Sequence, residues 1–342
     1  MDPVIAALKH SFMITSFVFF MMLVVEYVNV QTRGGWARIF STKRWRQYLL
    51  AALLGVIPGC LGAFTATTLF GHGIISFGAL VTTMIATSGD EAFFMFAMIP
   101  REAVVLTLVL FIVGMLGGYL VDRFKWSFGA EVPGGLHELP LHESGACHCF
   151  NAQDIIVQFK QLSAHRLGLI LGLLFILITL AFGWVGPQEW DWKRITFFSG
   201  GLISLFIVSS VPEHFLKEHL WDHLVLRHVP RLFMWTALTL LVINLLKNEM
   251  DMAHLVAENY WILLGIAVLV GMIPQSGPHF AFLALYVEGS LPLSILLANS
   301  ISQDGHGTLP LLANSKRTFV VLKILNLIWG FMLGGLGHAV GL

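Results

Sequence analysis

Apolar residues fill this 342-residue chain in long blocks rather than in the single-face stripes of a water-soluble fold. Runs long enough to cross a bilayer, at about 20 residues each, fall near residues 11–28, 47–70, 102–121, 166–186, 195–212, 229–247, 259–287 and 317–340. Two further stretches, 74–98 and 291–313, are broken near their middles by Ser88-Gly89-Asp90-Glu91 and Ser302-Gln303-Asp304-Gly305-His306. Each of these predicts one long broken helix or a re-entrant hairpin of two half-helices. The pattern as a whole predicts an all-α polytopic membrane protein with about ten transmembrane helices or hairpins.

The polar punctuation repeats. Residues 55–118 overlie 271–334 at a constant spacing of 216, which pairs Gly55, Ile57 and Pro58 with Gly271, Ile273 and Pro274, Arg101 with Arg317, and Gly114 and Gly118 with Gly330 and Gly334. Chance matching of apolar residues does not produce coincident Gly, Pro and Arg. Ser88 and Asp90 match Ser302 and Asp304 only at 214, a slip of two residues. The expected division is a first transmembrane repeat over 1–121, a loop over 122–165, and a second repeat with extra helices over 166–342.

Composition agrees with the pattern. Asp, Glu, Lys and Arg make up 12% of the chain, about half of what a soluble domain carries. Net charge is zero, so nothing favours a nucleic-acid partner. The placement of the charges says more. With 74–98 and 291–313 as hairpins, 14 basic residues fall on one side of the membrane and 5 on the other, the asymmetry expected between cytoplasmic and outer loops. The same topology makes the two repeats inverted, with the loop over 122–165 in the cytoplasm. Inverted repeats with broken helices at the midplane are a transporter architecture. The first apolar run lacks a small-residue cleavage site, so it predicts an uncleaved helix.

A carboxylate at membrane depth is costly and marks a functional site. Asp90 and Asp304 are the first candidates, each beside a glycine that lets the helix break and frees carbonyl oxygens. Asp90, Glu91, Ser88, Asp304, Ser302 and His306 form an oxygen-rich set with one imidazole and no thiolate. Such a set suits Mn2+ better than Cu+, with Zn2+, Fe2+ and Co2+ compatible. The plain alternative is that these are surface-loop acids. Lys323, inside the last span, is a candidate countercharge for the carboxylates. Pro58 and Pro274 remove backbone donors and are candidate hinges.

Glu26 and Glu213 end two apolar runs and are candidates for gating, or else interfacial acids. Read as an α-helix, the segment after Pro212 puts His219 and His223 on one face, and pairs His214 with Glu218 and Glu218 with Asp222. A His pair one turn apart can chelate a divalent metal that neighbouring carboxylates orient. An amphipathic interfacial helix is the simpler reading. The loop over 122–165 holds His137, His142, Cys147, His148 and Cys149, a mixture that fits metal capture without matching a closed zinc finger. With three cysteines in the chain, a disulfide framework is not expected.

The run Glu213-His214-Phe215-Leu216-Lys217-Glu218-His219-Leu220-Trp221-Asp222-His223, with His228-Val229-Pro230-Arg231, the two Gly-x-Ile-Pro segments and the Ser88/Asp90 and Ser302/Asp304 pairs, resembles the ten-transmembrane heavy-metal exporters of bacteria, also described as manganese transporters. The resemblance covers most of the chain. It implies metal efflux across the bacterial inner (cytoplasmic) membrane, with manganese the favoured substrate, and it supplies no ligand set.

The expected function is therefore secondary transport of a divalent transition metal, most simply Mn2+, outward, by alternating access around paired carboxylates. No enzyme activity and no permanently bound cofactor are expected. The expected partners are the metal ion, the lipid bilayer and protons as counter-ion, with a homo-oligomer compatible. No Gly-Lys-Ser/Thr phosphate loop is present for ATP coupling. Two alternatives stand beside this: an intramembrane lipid-diphosphate phosphatase, which lacks the Ser and Arg to hold phosphate, and an organoarsenical or anion permease, which the paired acids disfavour.

Overall fold

The computed structural model describes residues 3–32, 44–59, 61–128, 163–186, 189–249, 258–305 and 307–342. Among these residues every regular element is helical. Four helices contain a stretch long and apolar enough to cross a membrane, at Ala7–Val24, Pro100–Arg123, Ala164–Ala181 and Lys316–Val340. The chain folds as two compact units, one of Met1–Gly34 with His142–Leu245 and the other of Gly35–Leu141 with Leu246–Leu342.

The first unit holds α1 (Pro3–Thr32), α7 (Ala164–Ala181), α8 (Trp192–Ser210) and most of α9 (Val229–Glu249). Its core joins Phe19, Phe20 and Leu23 of α1 to Leu169 and Leu173 of α7 and to Ile207, Val208 and Val211 at the end of α8. Two buried arginines tie α7 and α8 together reciprocally. Arg166, at the start of α7, donates to the carbonyls of Ser209 (2.9 Å) and Val211 (2.8 Å) at the end of α8. Arg194, at the start of α8, donates to Leu180 and Ala181 at the end of α7, both at 2.8 Å. Each guanidinium thus satisfies carbonyls that a helix end leaves bare, at the negative end of its dipole. These contacts make the pair antiparallel.

Between α8 and α9 the structure departs from the sequence reading. Leu216–His228 is π-helical, with hydrogen bonds to the fifth rather than the fourth residue. The α-helical face expected to stack His219 on His223 and Glu218 on Asp222 is therefore not the geometry of this segment.

The second unit contains two sets of five helices. The first set is α2 (Arg44–Val56), α3 (Leu61–Gly71), α4 (Phe77–Ala86), α5 (Glu91–Met98) and α6 (Pro100–Arg123); the second is α10 (Tyr260–Gly271), α11 (His279–Val287), α12 (Leu293–Ser302), α13 (Leu309–Asn314) and α14 (Lys316–Val340). The spans α4 and α12 lie 216 residues apart at both ends, and α6 and α14 at their starts. Two of the long apolar runs, 47–70 and 259–287, are thus each two short helices. Ile57-Pro58-Gly59 separates α2 from α3, and Ile273-Pro274 lies between α10 and α11. At about 1.5 Å per residue, the 13 residues of α2 do not cross a bilayer alone.

α4 is buried along its whole length and α12 from Ser294 onward, as central helices are. The repeated glycines explain how neighbours get so close. A Cβ on Gly55 would lie 2.6 Å from the Thr83 carbonyl oxygen, one on Gly114 2.7 Å from that of Thr82, and one on Gly330 2.8 Å from that of Ala298. Small residues let helix backbones meet where lipid supplies no hydrophobic drive. The outer faces of α6 and α14 stay apolar and exposed, with Leu108, Ile112 and Leu116 on one and Val320, Ile324 and Ile328 on the other.

Candidate functional site

The second unit brings its helix breaks together. α4 ends at Thr87, whose Oγ1 accepts the Gly89 N–H at 3.1 Å. α12 ends at Gln303, whose Oε1 accepts the Gly305 N–H, also at 3.1 Å. Gly89 and Gly305 have φ of 55° and 54°, the left-handed conformation that glycine tolerates. These contacts correspond at a spacing of 216, as do the donations of Thr83 to Ala51 (3.0 Å) and Asn299 to Ala267 (2.7 Å). No slip is needed. The position matching Ser88 is Asp304, and that matching Asp90 is His306, so the two-residue offset read from the Ser/Asp pairs is corrected by the backbone.

The two breaks touch. A Cβ on Gly89 would lie 3.3 Å from Gln303 Oε1. The break between α2 and α3 joins them, since Gly59 N–H donates to the Gly89 carbonyl at 2.9 Å. From the other set, Ser276 Oγ donates to Asp90 Oδ2 at 2.7 Å. Thr67 Oγ1 donates to the Gly307 carbonyl at 2.8 Å.

Three acids lie buried here, Asp90, Glu91 and Asp304, each 1% exposed. Their surroundings differ. Asp304 Oδ1 is 2.7 Å from Lys323 Nζ, with both side chains fully buried, and accepts from Thr308 Oγ1 at 3.1 Å. Lys323 also donates to the Gly271 carbonyl at 3.1 Å, where α10 ends. Asp90 accepts from Ser276. Among the described residues, both Glu91 oxygens lack a hydrogen-bond partner. Ser88 and Ser302 are buried beside the acids in sequence, with Ser302 Oγ turned back to the Ala298 and Asn299 carbonyls at 3.0 Å. His306 lies outside the described residues. Among those described, no three His, Cys, Asp or Glu side chains converge on one point as a ready metal cage. A cation at the breaks would draw on hydroxyl and carbonyl oxygens as well as on the acids.

Sequence reading passed over Ser276, Thr308 and His279. His279 is fully buried at the first turn of α11. Its signal was a departure from the repeat, because Ser276-Gly277-Pro278-His279 stands where the first set has Cys60-Leu61-Gly62-Ala63.

The remaining candidates lie elsewhere. Glu213 belongs to the first unit and is held 3.5 Å from Arg166 and 3.9 Å from His165. His214 and Asp222 are exposed. The side chains of Glu26, Glu218, His219 and His223 lie outside the described residues, as do His137, His142, Cys147, His148 and Cys149 of the loop.

Buried carboxylates and an ion pair at converging helix breaks, in an all-helical chain with lipid-facing apolar faces, define a multi-pass membrane transport protein. The chain belongs to the family described as "Putative, 10TM heavy-metal exporter", which matches residues 1–188 and 225–336. No curated protein and no solved structure matches it. The family is one of metal transporters and not of enzymes.

Proposed function

We propose that the protein exports a divalent transition metal, Mn2+ first, across the bacterial inner membrane by alternating access around the helix breaks of the second unit. The observation that carries this is the burial of Asp90, Glu91 and Asp304 at two matching breaks that touch through Gly89 and Gln303. Carboxylates with hydroxyl and carbonyl oxygens suit Mn2+, and an additional imidazole, His306, keeps Zn2+, Fe2+ and Co2+ within range. Ser88 and Ser302 add hydroxyls to the set.

Lys323 holds the charge of Asp304 while the site is empty, because a lone buried carboxylate is strongly unfavourable. The two five-helix sets run inverted in the bilayer and rock about the interruptions at Pro58 and Pro274. Protons are the counter-ion, since metal binding to carboxylate and imidazole displaces them. The His-rich π-helical segment, Glu26, Glu213 and the loop with His137, His142, Cys147, His148 and Cys149 capture metal before it enters. Nothing in this scheme needs a permanently bound cofactor.

Mn2+ flux into proteoliposomes tests the reading. An Asp90→Asn, Asp304→Asn double variant should lose flux while still reconstituting. Full flux in that variant would overturn the site.

A further inference from the structure

The three buried acids are not equally in need of a cation. Asp304 has its ammonium partner at 2.7 Å and Asp90 a hydroxyl donor at 2.7 Å. Glu91, 1% exposed, has no hydrogen bond on either oxygen among the described residues. An unpaired carboxylate in a protein interior costs several kcal/mol, so Glu91 is where an incoming cation gains most.

What stands beside Glu91 follows from two contacts that bracket it. Ser276 Oγ reaches Asp90, and one turn further on the rings of Phe94 and Phe280 meet with centroids 6.2 Å apart. These contacts pack α5 and α11 side by side, with Glu91 and His279 each the first residue of its helix. The corresponding contact between the two sets gives independent support. At a spacing of 216, Glu91 corresponds to Gly307 and His279 to Ala63, and these two pack so closely that a Cβ on Gly307 would collide with that of Ala63. Both pairs join the first set to the second, and the contact that is small in one is ionisable in its counterpart.

The imidazole is oriented for the task. His279 Nε2 lies 3.4 Å from the Ile273 carbonyl oxygen, a contact that the tautomer with its proton on Nε2 makes as a hydrogen bond and that leaves Nδ1 as the basic nitrogen. A backbone carbonyl on one ring nitrogen is the usual way a metal-binding histidine is held.

We infer that Glu91 and His279 form a nitrogen–oxygen pair that binds the transported cation and sets its selectivity for first-row transition metals over Mg2+ and Ca2+. Those two hard ions take oxygen ligands, whereas an imidazole favours the transition series. The inference rests on the proposed export site and adds to it a ligand that the sequence did not reveal.

Electron spin echo measurements on purified full-length protein with one equivalent of Mn2+ read the pair directly. In a His306→Ala background, which removes the other imidazole of the proposed site, nitrogen coupling should persist, and His279→Asn should abolish it. His279→Asn alone should also weaken Mn2+ binding roughly tenfold or more, taking the loss typical of second-shell changes as a lower bound, while leaving weak Mg2+ binding within about twofold. Glu91→Gln should weaken both ions. If the double variant does not fold, the fall in Mn2+ binding of His279→Asn alone, with Mg2+ binding kept, carries the test. Mn2+ bound to the His306→Ala variant without nitrogen coupling, or coupling that survives when His279→Asn is added, overturns the role of His279 alone. Failure of the wild type to bind any divalent metal overturns the export reading beneath it.

Discussion

The two five-helix sets of the second unit share a backbone and differ in charge. In both, a central buried helix ends in a polar side chain that takes the N–H of a left-handed glycine, Thr87 with Gly89 and Gln303 with Gly305. Around that common frame, the second set carries the Asp304–Lys323 pair, while the matching positions in the first are Ser88 and Thr107. The first set carries Asp90 and Glu91, where the second has His306 and Gly307. The frame common to both sets supplies the scaffold, and the residues that differ place a neutralised acid, Asp304, on one side and Glu91, without a hydrogen-bond partner among the described residues, on the other. A cation site built this way gains charge balance when loaded without leaving every acid bare when empty.

The comparison can be broken most severely at the ion pair. Lys323→Met leaves Asp304 buried without its partner and should cost about 3–5 kcal/mol, read as a large fall in thermal midpoint in detergent. Adding Asp304→Asn should restore most of it, because no isolated charge then remains. Equal damage in the double variant would mean that Lys323 matters through packing.

The shared scaffold gives smaller effects. Gly271→Ala pushes a methyl into the Ser302 side chain and should destabilise by about 1–3 kcal/mol. Gly265→Ala, on the same helix with nothing within 4 Å of its Cβ, should be neutral or stabilise by up to about 1 kcal/mol through helix propensity. If the two substitutions behaved alike, close packing of α10 on α12 would not be what the repeated glycine serves. Smallest is Thr83→Val, which removes the hydrogen bond to Ala51 at 3.0 Å and should cost about 1 kcal/mol in the same melting measurement.

Much of this frame was legible in the residues. Gly55, Gly114 and Gly118 with their partners 216 residues on stood out because close helix contacts admit only glycine, a constraint that leaves a fixed mark in sequence. Pro58 and Pro274 marked real interruptions for a similar reason. The acids at 90, 91 and 304 stood out because ionisable residues are rare in apolar runs.

What was hidden depends on contacts across sequence distance. The Ser276 donation to Asp90 and the reciprocal capping by Arg166 and Arg194 join residues that no spacing rule connects. The Ser/Asp matches at 214 misled because residue identity was followed where backbone conformation is what repeats. The π-helix over Leu216–His228 was invisible because its period has no separate hydrophobic pattern to reveal it.

Anomalous scattering at the manganese edge, from crystals of the protein grown with Mn2+, tests the central claim most directly. A peak is expected within bonding distance of Glu91 and its neighbouring acids, at the breaks where Gly89 meets Gln303. A peak on the histidine-rich π-helical segment, with none at the breaks, would contradict it.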